Sequence, residues 1–282
     1  MTHLSELRPS SIAGRWYSDN PDRLRQQIDQ YLKQAKIPAL EGGVVALVVP
    51  HAGHRYSGRT AGHAFRTVQG MQRDLVAIVS PYHSYHPSTL LTSAHQAYTT
   101  PLGPVWIDQE AVIELNQHLN RLSGLSVTPI VYDQEHSLEI ELPFLQRTLT
   151  GGFRLLPVMV RGKDIETAQA LGTALAQTLN SRSSLLVAST DLSHFYPESV
   201  ADKLDTEMLH QIAMLSPEGV LEVECTGKGY ACGALAVAAV LWAAREMGAN
   251  AVEVLDYSTS ASETGDYESV VGYGAAVILK CG

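Results

Sequence analysis

The chain has 282 residues, of which 45% are hydrophobic, a formal net charge of −9 and three widely spaced cysteines. Its basic residues are scattered, which argues against nucleic-acid binding, and its longest apolar run is too short to cross a membrane. Without a CxxC pair, a disulfide framework or an apolar signal-peptide core in its first ten residues, the chain is expected to be cytoplasmic.

The first predicted elements are a helix and a buried strand. The helix opens at Asn20 and Pro21, because asparagine caps helices and proline suits their first turn. The strand covers residues 44–49, whose sequence VVALVV has no polar residue, so we expect helices on both of its faces. Pro50 cannot donate to a sheet and should end the pairing, which places His51 just past the strand.

A similar ending follows the next predicted strand. A helix is expected to start near Gly58, with Ser57 as its cap. The second buried strand covers residues 75–80 and leads to Pro81, Tyr82 and then His83. Two consecutive strands that end in proline and then histidine favour a functional site over packing. Ligands of open α/β sheets bind at this carboxyl edge.

The middle of the chain predicts alternating strands and helices. Its elements are an extended segment at 90–100, a strand at 105–107, a helix from Asp108 to residue 119, a strand at 127–131, a helix carrying Leu138, Leu142 and Leu145, a strand at 153–160 and a helix from Asp164. Pro143 is expected to distort the helix in which it lies.

The last third predicts three strands and two helices. They are a strand at 185–189, helices near 197–215 and 233–247, and strands at 251–257 and 270–280. The alternation along the chain predicts a three-layer α/β/α fold with a mostly parallel, mixed sheet. No Pro/Gly/Ser-rich linker or repeat interrupts it, so we predict one domain over residues 1–282.

Several polar side chains stand where a metal could bind. The candidates beyond strands or at helix starts are His51, His83, Glu135 with His136, Asp191 with His194, and Cys232 at the opening of an apolar helix. Two neutral imidazoles and one anion leave coordination positions open for substrate or oxygen. A helix amino terminus lowers a thiol pKa, and a thiolate shifts metal preference toward iron, copper(I) or zinc.

Each candidate also has a purely structural interpretation. A single strand-end histidine is more often a hydrogen-bonded residue than a ligand, and a lone cysteine such as Cys232 is more often a small buried hydrophobe. Asp191 is suited to cap a helix and His194 to bond a carbonyl. Glu135 and His136 have the structural interpretation that they only stand at a helix start, and Glu139, one turn on, could orient the His136 ring. The matching contexts of two histidines favour a metal site.

Taken together, these motifs resemble the Memo family, and within it the bacterial and archaeal members called AmmeMemoRadiSam system protein B. The matching segments are AGRWY at 13–17, PHAGHRYSG at 50–58, SPYHS at 80–84, EHSLEIELP at 135–143, STDLSH at 189–194 and ACG at 231–233. The resemblance implies a fold similar to class III extradiol ring-cleaving dioxygenases, which use non-haem iron(II). It implies a pocket lined by His51, His83 and Cys232, with His194 close by.

Two positions depart from the family pattern. His54 stands where a tyrosine is common, and Ser84 stands where some members carry a second histidine. Both positions border the implied pocket, so metal and substrate preference do not carry over from the family.

The first functional hypothesis is a metal-dependent oxidoreductase. His51, His83 and Cys232 would bind iron(II), with copper or zinc as alternatives, and His194 would serve as an acid/base that Asp191 orients. The resemblance also implies a pathway shared with an AMMECR-type protein and a radical S-adenosylmethionine enzyme. The substrate would be a small molecule or a peptide.

Two other hypotheses remain open. The chain could be a non-catalytic module that keeps the dioxygenase fold and binds a peptide or protein, since ring-cleaving enzymes use a carboxylate where this chain offers a thiol. It could also use Cys232 as a nucleophile activated by His194 or His136 for acyl or phosphoryl transfer. Paired histidines fit a metal better than a single-base nucleophile.

Overall fold

The computed structural model describes residues 6–282, so the first five residues of the predicted domain 1–282 lie outside the described part. The strands are β1 (Leu7–Arg8), β2 (Gly43–Val49), β3 (Leu75–Pro81), β4 (Leu90–Ser93), β5 (Ala97–Thr100), β6 (Gly103–Trp106), β7 (Thr128–Ile130), β8 (Arg154–Val160), β9 (Ser184–Ser189), β10 (His194–Tyr196), β11 (Ala251–Thr259) and β12 (Val270–Lys280). The helices are α1 (Pro21–Gln34), α2 (His54–Arg66), α3 (Gln109–Ser123), α4 (Leu142–Thr148), α5 (Ile165–Leu179), α6 (Glu198–Ala213), α7 (Pro217–Cys225), α8 (Ala234–Glu246) and α9 (Ala261–Thr264), and a 3-10 turn, Glu139–Glu141, precedes α4.

Most strands of the described chain form one mixed sheet. Its order is β10-β12-β2-β9-β3-β8-β4-β7, and β11 pairs with β12 off this path. The central strands β2, β9, β3 and β8 are parallel, whereas β12 and β4 run antiparallel to β2 and β8. A separate small sheet has the order β1-β5-β6. The predicted mixed, largely parallel sheet is confirmed; the single domain stays a prediction.

Helices cover both faces of the main sheet. Along β2, Ala46 and Val48 pack into one apolar cluster with α3, α5 and α8, and Leu47 and Val49 pack into another with α1, α2 and α4. Because side chains alternate along a strand, a run without polar residues supplies both faces at once. The three-layer α/β/α prediction is therefore confirmed.

The most apolar helix lies inside one of these layers. α8 buries ten of its thirteen residues, as expected for a core helix. Among residues 6–282, no helix combines the length and the apolar character that a membrane crossing requires.

One helix start and the effect of one proline differ from the predictions. α2 begins at His54 instead of near Gly58, because the Gly53 carbonyl already accepts bonds from the N–H groups of Tyr56 and Ser57. The Ser57 hydroxyl donates to the carbonyl of Ala52 instead of capping a helix. Pro143 does not distort α4, because it lies in the first turn, where a missing N–H costs no helical bond.

The topology brings three strand ends to one place. β2, β9 and β3 are neighbours and parallel, so their carboxyl ends open at the same edge of the sheet. His51 follows β2, Asp191 follows β9 and His83 follows β3. This edge is where open α/β sheets bind their ligands.

Candidate metal centre

Three imidazole rings meet at this edge of the sheet. One ligand-capable nitrogen from each of His51, His83 and His136 lies within 4.8 Å of the other two. The rings of His83 and His136 stack with centroids 4.8 Å apart, and the His51 ring approaches both edge-on at 5.3 and 5.5 Å. Within residues 6–282, this trio has the spacing that one metal ion needs.

Separate parts of the chain deliver the three histidines. His51 and His83 come from the strand ends, whereas His136 lies in the loop between β7 and the 3-10 turn. The backbone N–H of His51 donates to Asp191 Oδ1 at 2.7 Å, which joins the ends of β2 and β9. The third histidine therefore depends on how its loop is held.

Glu135 holds both His83 and the loop of His136. Its carboxylate accepts bonds from the backbone N–H of His83 at 2.6 Å and from those of His136 and Ser137 at 2.8 and 2.9 Å. It also contacts His83 Nδ1 at 3.0 Å. With Nδ1 engaged in this way, His83 keeps Nε2 available as a ligand. Carboxylates commonly orient metal-binding histidines like this.

The two ring nitrogens of His51 contact a serine hydroxyl and a cysteine thiol. Its Nδ1 lies 2.9 Å from Ser189 Oγ, and its Nε2 lies 3.2 Å from Cys232 Sγ. The backbone N–H of Asp191 donates to the same sulfur at 3.3 Å. Cys232 is thus a direct neighbour of the histidine cluster through His51, although the trio with metal spacing contains His136 instead.

Burial keeps two of the three imidazoles neutral. It lowers the pKa of His136 to about 4, and burial together with the neighbouring imidazoles lowers that of His51 well below its ordinary value. Burial would also lower the pKa of His83, but the hydrogen bond and charge of Glu135 outweigh it and raise that pKa. Neutral imidazoles bind metal without first losing a proton.

Cys232 differs from the sequence-based expectation. Burial raises the pKa of its thiol, and the nearby charge of Asp191 acts in the same direction. The helix amino terminus therefore does not by itself produce a thiolate. The imidazole in contact with the sulfur belongs to His51, not to His194 or His136, which the nucleophile hypothesis named.

Asp191 and His194 lie beside the cluster. Asp191 is buried, and its Oδ1 also accepts a bond from the N–H of Ala52 at 3.2 Å. Burial raises the pKa of Asp191 to about 7, although these backbone donors oppose the shift. His194 Nδ1 lies 2.8 Å from the carbonyl of Leu192, and burial lowers its pKa. Within residues 6–282, Asp191 and His194 share no hydrogen bond that would support the predicted orienting role.

A cavity of about 630 Å³ opens above the cluster. Its walls include the three histidines, Asp191 and His194. Other lining side chains are Arg15, Trp16, Arg55, Tyr56 and Tyr273. Trp16 packs on His136 with ring centroids 4.2 Å apart. This volume is within the range of small-molecule sites, and polar side chains converge in it as they do in such sites.

Sequence reasoning named His136 as a candidate but left it out of the ligand set, and it missed Ser189 altogether. The available signal was the pair Glu135-His136, which supplies a carboxylate and an imidazole at adjacent positions. Ser189 is the last residue of a buried strand, one of few polar positions in that strand.

The glycine after Cys232 packs against the strand-end loop. A Cβ on Gly233 would lie 2.4 Å from the carbonyl oxygen of Ser189 and 2.9 Å from Thr190 Cβ. We expect Gly233→Ala to lower the free energy of unfolding by about 1 to 3 kcal/mol, measured by urea denaturation, because the backbone must shift. Gly43→Ala is the control, since nothing lies within 4 Å of its added Cβ. Equal losses in both variants would contradict this expectation.

Comparisons with known proteins match nearly the whole chain to one family. The family model described as Memo-like protein matches residues 8–277. The chain is 32% identical to a MEMO1 family protein of Nitrosopumilus maritimus over 95% of this chain and 98% of that protein. It is 33% identical to a MEMO1 family protein of Methanothermobacter thermautotrophicus, with the same coverage. Among solved structures, an uncharacterized protein from Escherichia coli K12 aligns with 14% identity and a TM-score of 0.46, over 83% of this chain and 100% of that chain.

Proposed function

The chain belongs to the Memo family, and from this premise we propose that it is an oxidoreductase with a non-haem iron(II) centre at the histidine cluster. The observation that carries the proposal is the convergence of three imidazole nitrogens within 4.8 Å beside an open cavity. His51, His83 and His136 would be the nitrogen ligands, and Cys232 would add a sulfur ligand.

The donor set fits a transition metal. His51 and His83 each use Nδ1 in a hydrogen bond and keep Nε2 available, which is the usual arrangement around a bound metal. Imidazole suits iron, copper and zinc, and a thiolate shifts the preference toward iron, copper(I) or zinc. Because burial raises the pKa of the Cys232 thiol, metal binding through the sulfur would release a proton.

The remaining residues would bind substrate and handle protons. When bound, iron(II) would supply the redox chemistry, with open positions for exogenous ligands. Asp191, whose pKa burial raises to about 7, is suited to exchange a proton at neutral pH beside His51. His194 would be a second acid/base on the cavity wall. Arg15 and Arg55 at the cavity favour a substrate that carries negative charge.

Metal loading and oxygen consumption test this proposal. Protein purified without oxygen and incubated with iron(II) is expected to retain about one iron per chain and to consume dioxygen with members of a catechol panel that includes carboxylated catechols. The control variant is His210→Ala, which removes an exposed histidine on α6 and should retain iron like the unmodified protein. Preferential retention of zinc or copper would reassign the metal.

Two results would overturn the proposal. Failure to retain any metal would remove the centre itself. Metal retention without oxygen consumption on any substrate, together with peptide binding in the cavity, would favour the alternative of a non-catalytic binding module.

A further inference from the structure

A carboxyl group lies buried beneath the histidine cluster. Glu141 ends the 3-10 turn before α4 and is 1% exposed. Its Oε1 lies 2.9 Å from Ser189 Oγ. Ser189 in turn lies 2.9 Å from Nδ1 of His51, so the carboxyl reaches the cluster through one hydroxyl group. None of the roles proposed above uses Glu141.

The hydroxyl of Ser189 has three polar neighbours. Besides Glu141 and His51, it lies 2.7 Å from the backbone carbonyl of Ser137. A hydroxyl has one proton to donate and two lone pairs to accept with. A carbonyl oxygen only accepts, so at 2.7 Å the serine proton belongs in the bond to Ser137. The two lone pairs then face Glu141 and His51.

The hydrogen-bond count assigns the remaining protons. If Ser189 donates to the carbonyl, both other neighbours must donate to Ser189. Glu141 therefore carries a proton, and His51 carries its proton on Nδ1. This arrangement gives each of the three contacts of Ser189 one donor and one acceptor, in a buried cluster where an unmade hydrogen bond is costly. Burial raises the pKa of Glu141 well above its ordinary value, which agrees with a neutral carboxyl.

The opposite face of His51 is consistent with this assignment. A proton on Nδ1 leaves Nε2 with a free lone pair, and Cys232 Sγ lies 3.2 Å from that nitrogen. A protonated thiol can donate to this lone pair. If Nε2 carried the proton instead, Ser189 would have to donate to Nδ1, and the Ser137 carbonyl would face a serine lone pair at 2.7 Å.

We infer that Glu141 is a proton-bearing positioning residue which, through Ser189, holds His51 as the Nδ1–H tautomer and leaves Nε2 without a proton. The role of this unprotonated nitrogen as a metal ligand rests on the proposed function. The protonated carboxyl and the tautomer themselves are properties of the metal-free protein, so they can be tested separately.

Spectroscopy of the metal-free protein tests the inference directly. Infrared spectra at neutral pH are expected to show the C=O band of a protonated carboxyl that disappears in Glu141→Gln. Nitrogen-15 NMR of the histidine rings, assigned with a His51→Gln variant, is expected to show a protonated Nδ1 and a bare Nε2 in His51. An ionised Glu141, or a proton on Nε2, would overturn the inference. The NMR result on unmodified protein decides the tautomer even if Glu141→Gln does not fold.

Variants separate positioning from simple packing. Glu141→Gln keeps a donor to Ser189 and should retain both the tautomer and zinc affinity. Ser189→Ala removes the acceptor for Nδ1, so we expect a mixture of His51 tautomers and about 10- to 100-fold weaker zinc binding. An unchanged tautomer in Ser189→Ala would contradict the inference. A changed tautomer in a protein that never binds zinc would leave it standing and remove the proposed function instead.

Discussion

Replacing His136 with alanine is expected to weaken iron(II) binding by at least about a hundredfold, because loss of a ligand should cost more than the 10- to 100-fold typical of its supporting residues. Burial lowers the pKa of this imidazole to about 4, so it is neutral at physiological pH. The metal therefore does not have to displace a proton from the ring. Anaerobic competition against a coloured chelator measures the dissociation constant.

Two further variants make this result specific. His210→Ala removes an exposed histidine on α6 that is not one of the three clustered histidines. This variant should bind iron(II) like the unmodified protein. Cys232→Ala should reduce the preference for copper(I), because it removes the soft ligand. If His136→Ala binds normally while Cys232→Ala loses the metal, the ligand set is His51, His83 and Cys232, as the family resemblance implies.

Replacing Arg8 with methionine is expected to lower the free energy of unfolding by about 3 to 5 kcal/mol, because it removes the positive partner of a buried ion-pair cluster and leaves the negative partners in place. The Arg8 guanidinium is 1% exposed and lies 2.7 Å from both Asp133 Oδ1 and Glu139 Oε2. It also donates to the backbone carbonyl of Glu135 at 2.7 Å. Without it, two carboxylates remain buried without a counter-charge.

The same substitution should loosen the loop that carries His136. Arg8 contacts both ends of this loop, through Asp133 and Glu139. Arg147→Met is the matched control, because it removes the same charge from an exposed ion pair. In that pair, the side chain of Arg147 is 34% exposed and that of Asp29 is 50% exposed. We expect that control to cost no more than about 1 kcal/mol. Urea denaturation measures both, and similar losses would contradict a special role for Arg8.

Local patterns were sufficient to predict most elements of the fold. Asn20 and Asp108 cap α1 and α3 as predicted, and Asp164, predicted to begin a helix, caps α5, because each side chain accepts bonds from the first turn that follows it. The strand at residues 44–49 was found from its unbroken apolar run. α7 was not predicted, because the helix expected near residues 197–215 ended before its nine residues and the next was expected only at 233–247.

The candidate site could be predicted only in part. The amino-acid order by itself determined that His51 and His83 follow two buried strands that are consecutive along the chain, because strand length and proline position are local properties of the sequence. The tertiary structure alone decided that His136 completes the trio and that Glu141 lies beneath His51 behind Ser189. Both depend on a loop anchored by Arg8 more than 120 residues away, and contacts at such separation arise from packing that no local pattern encodes.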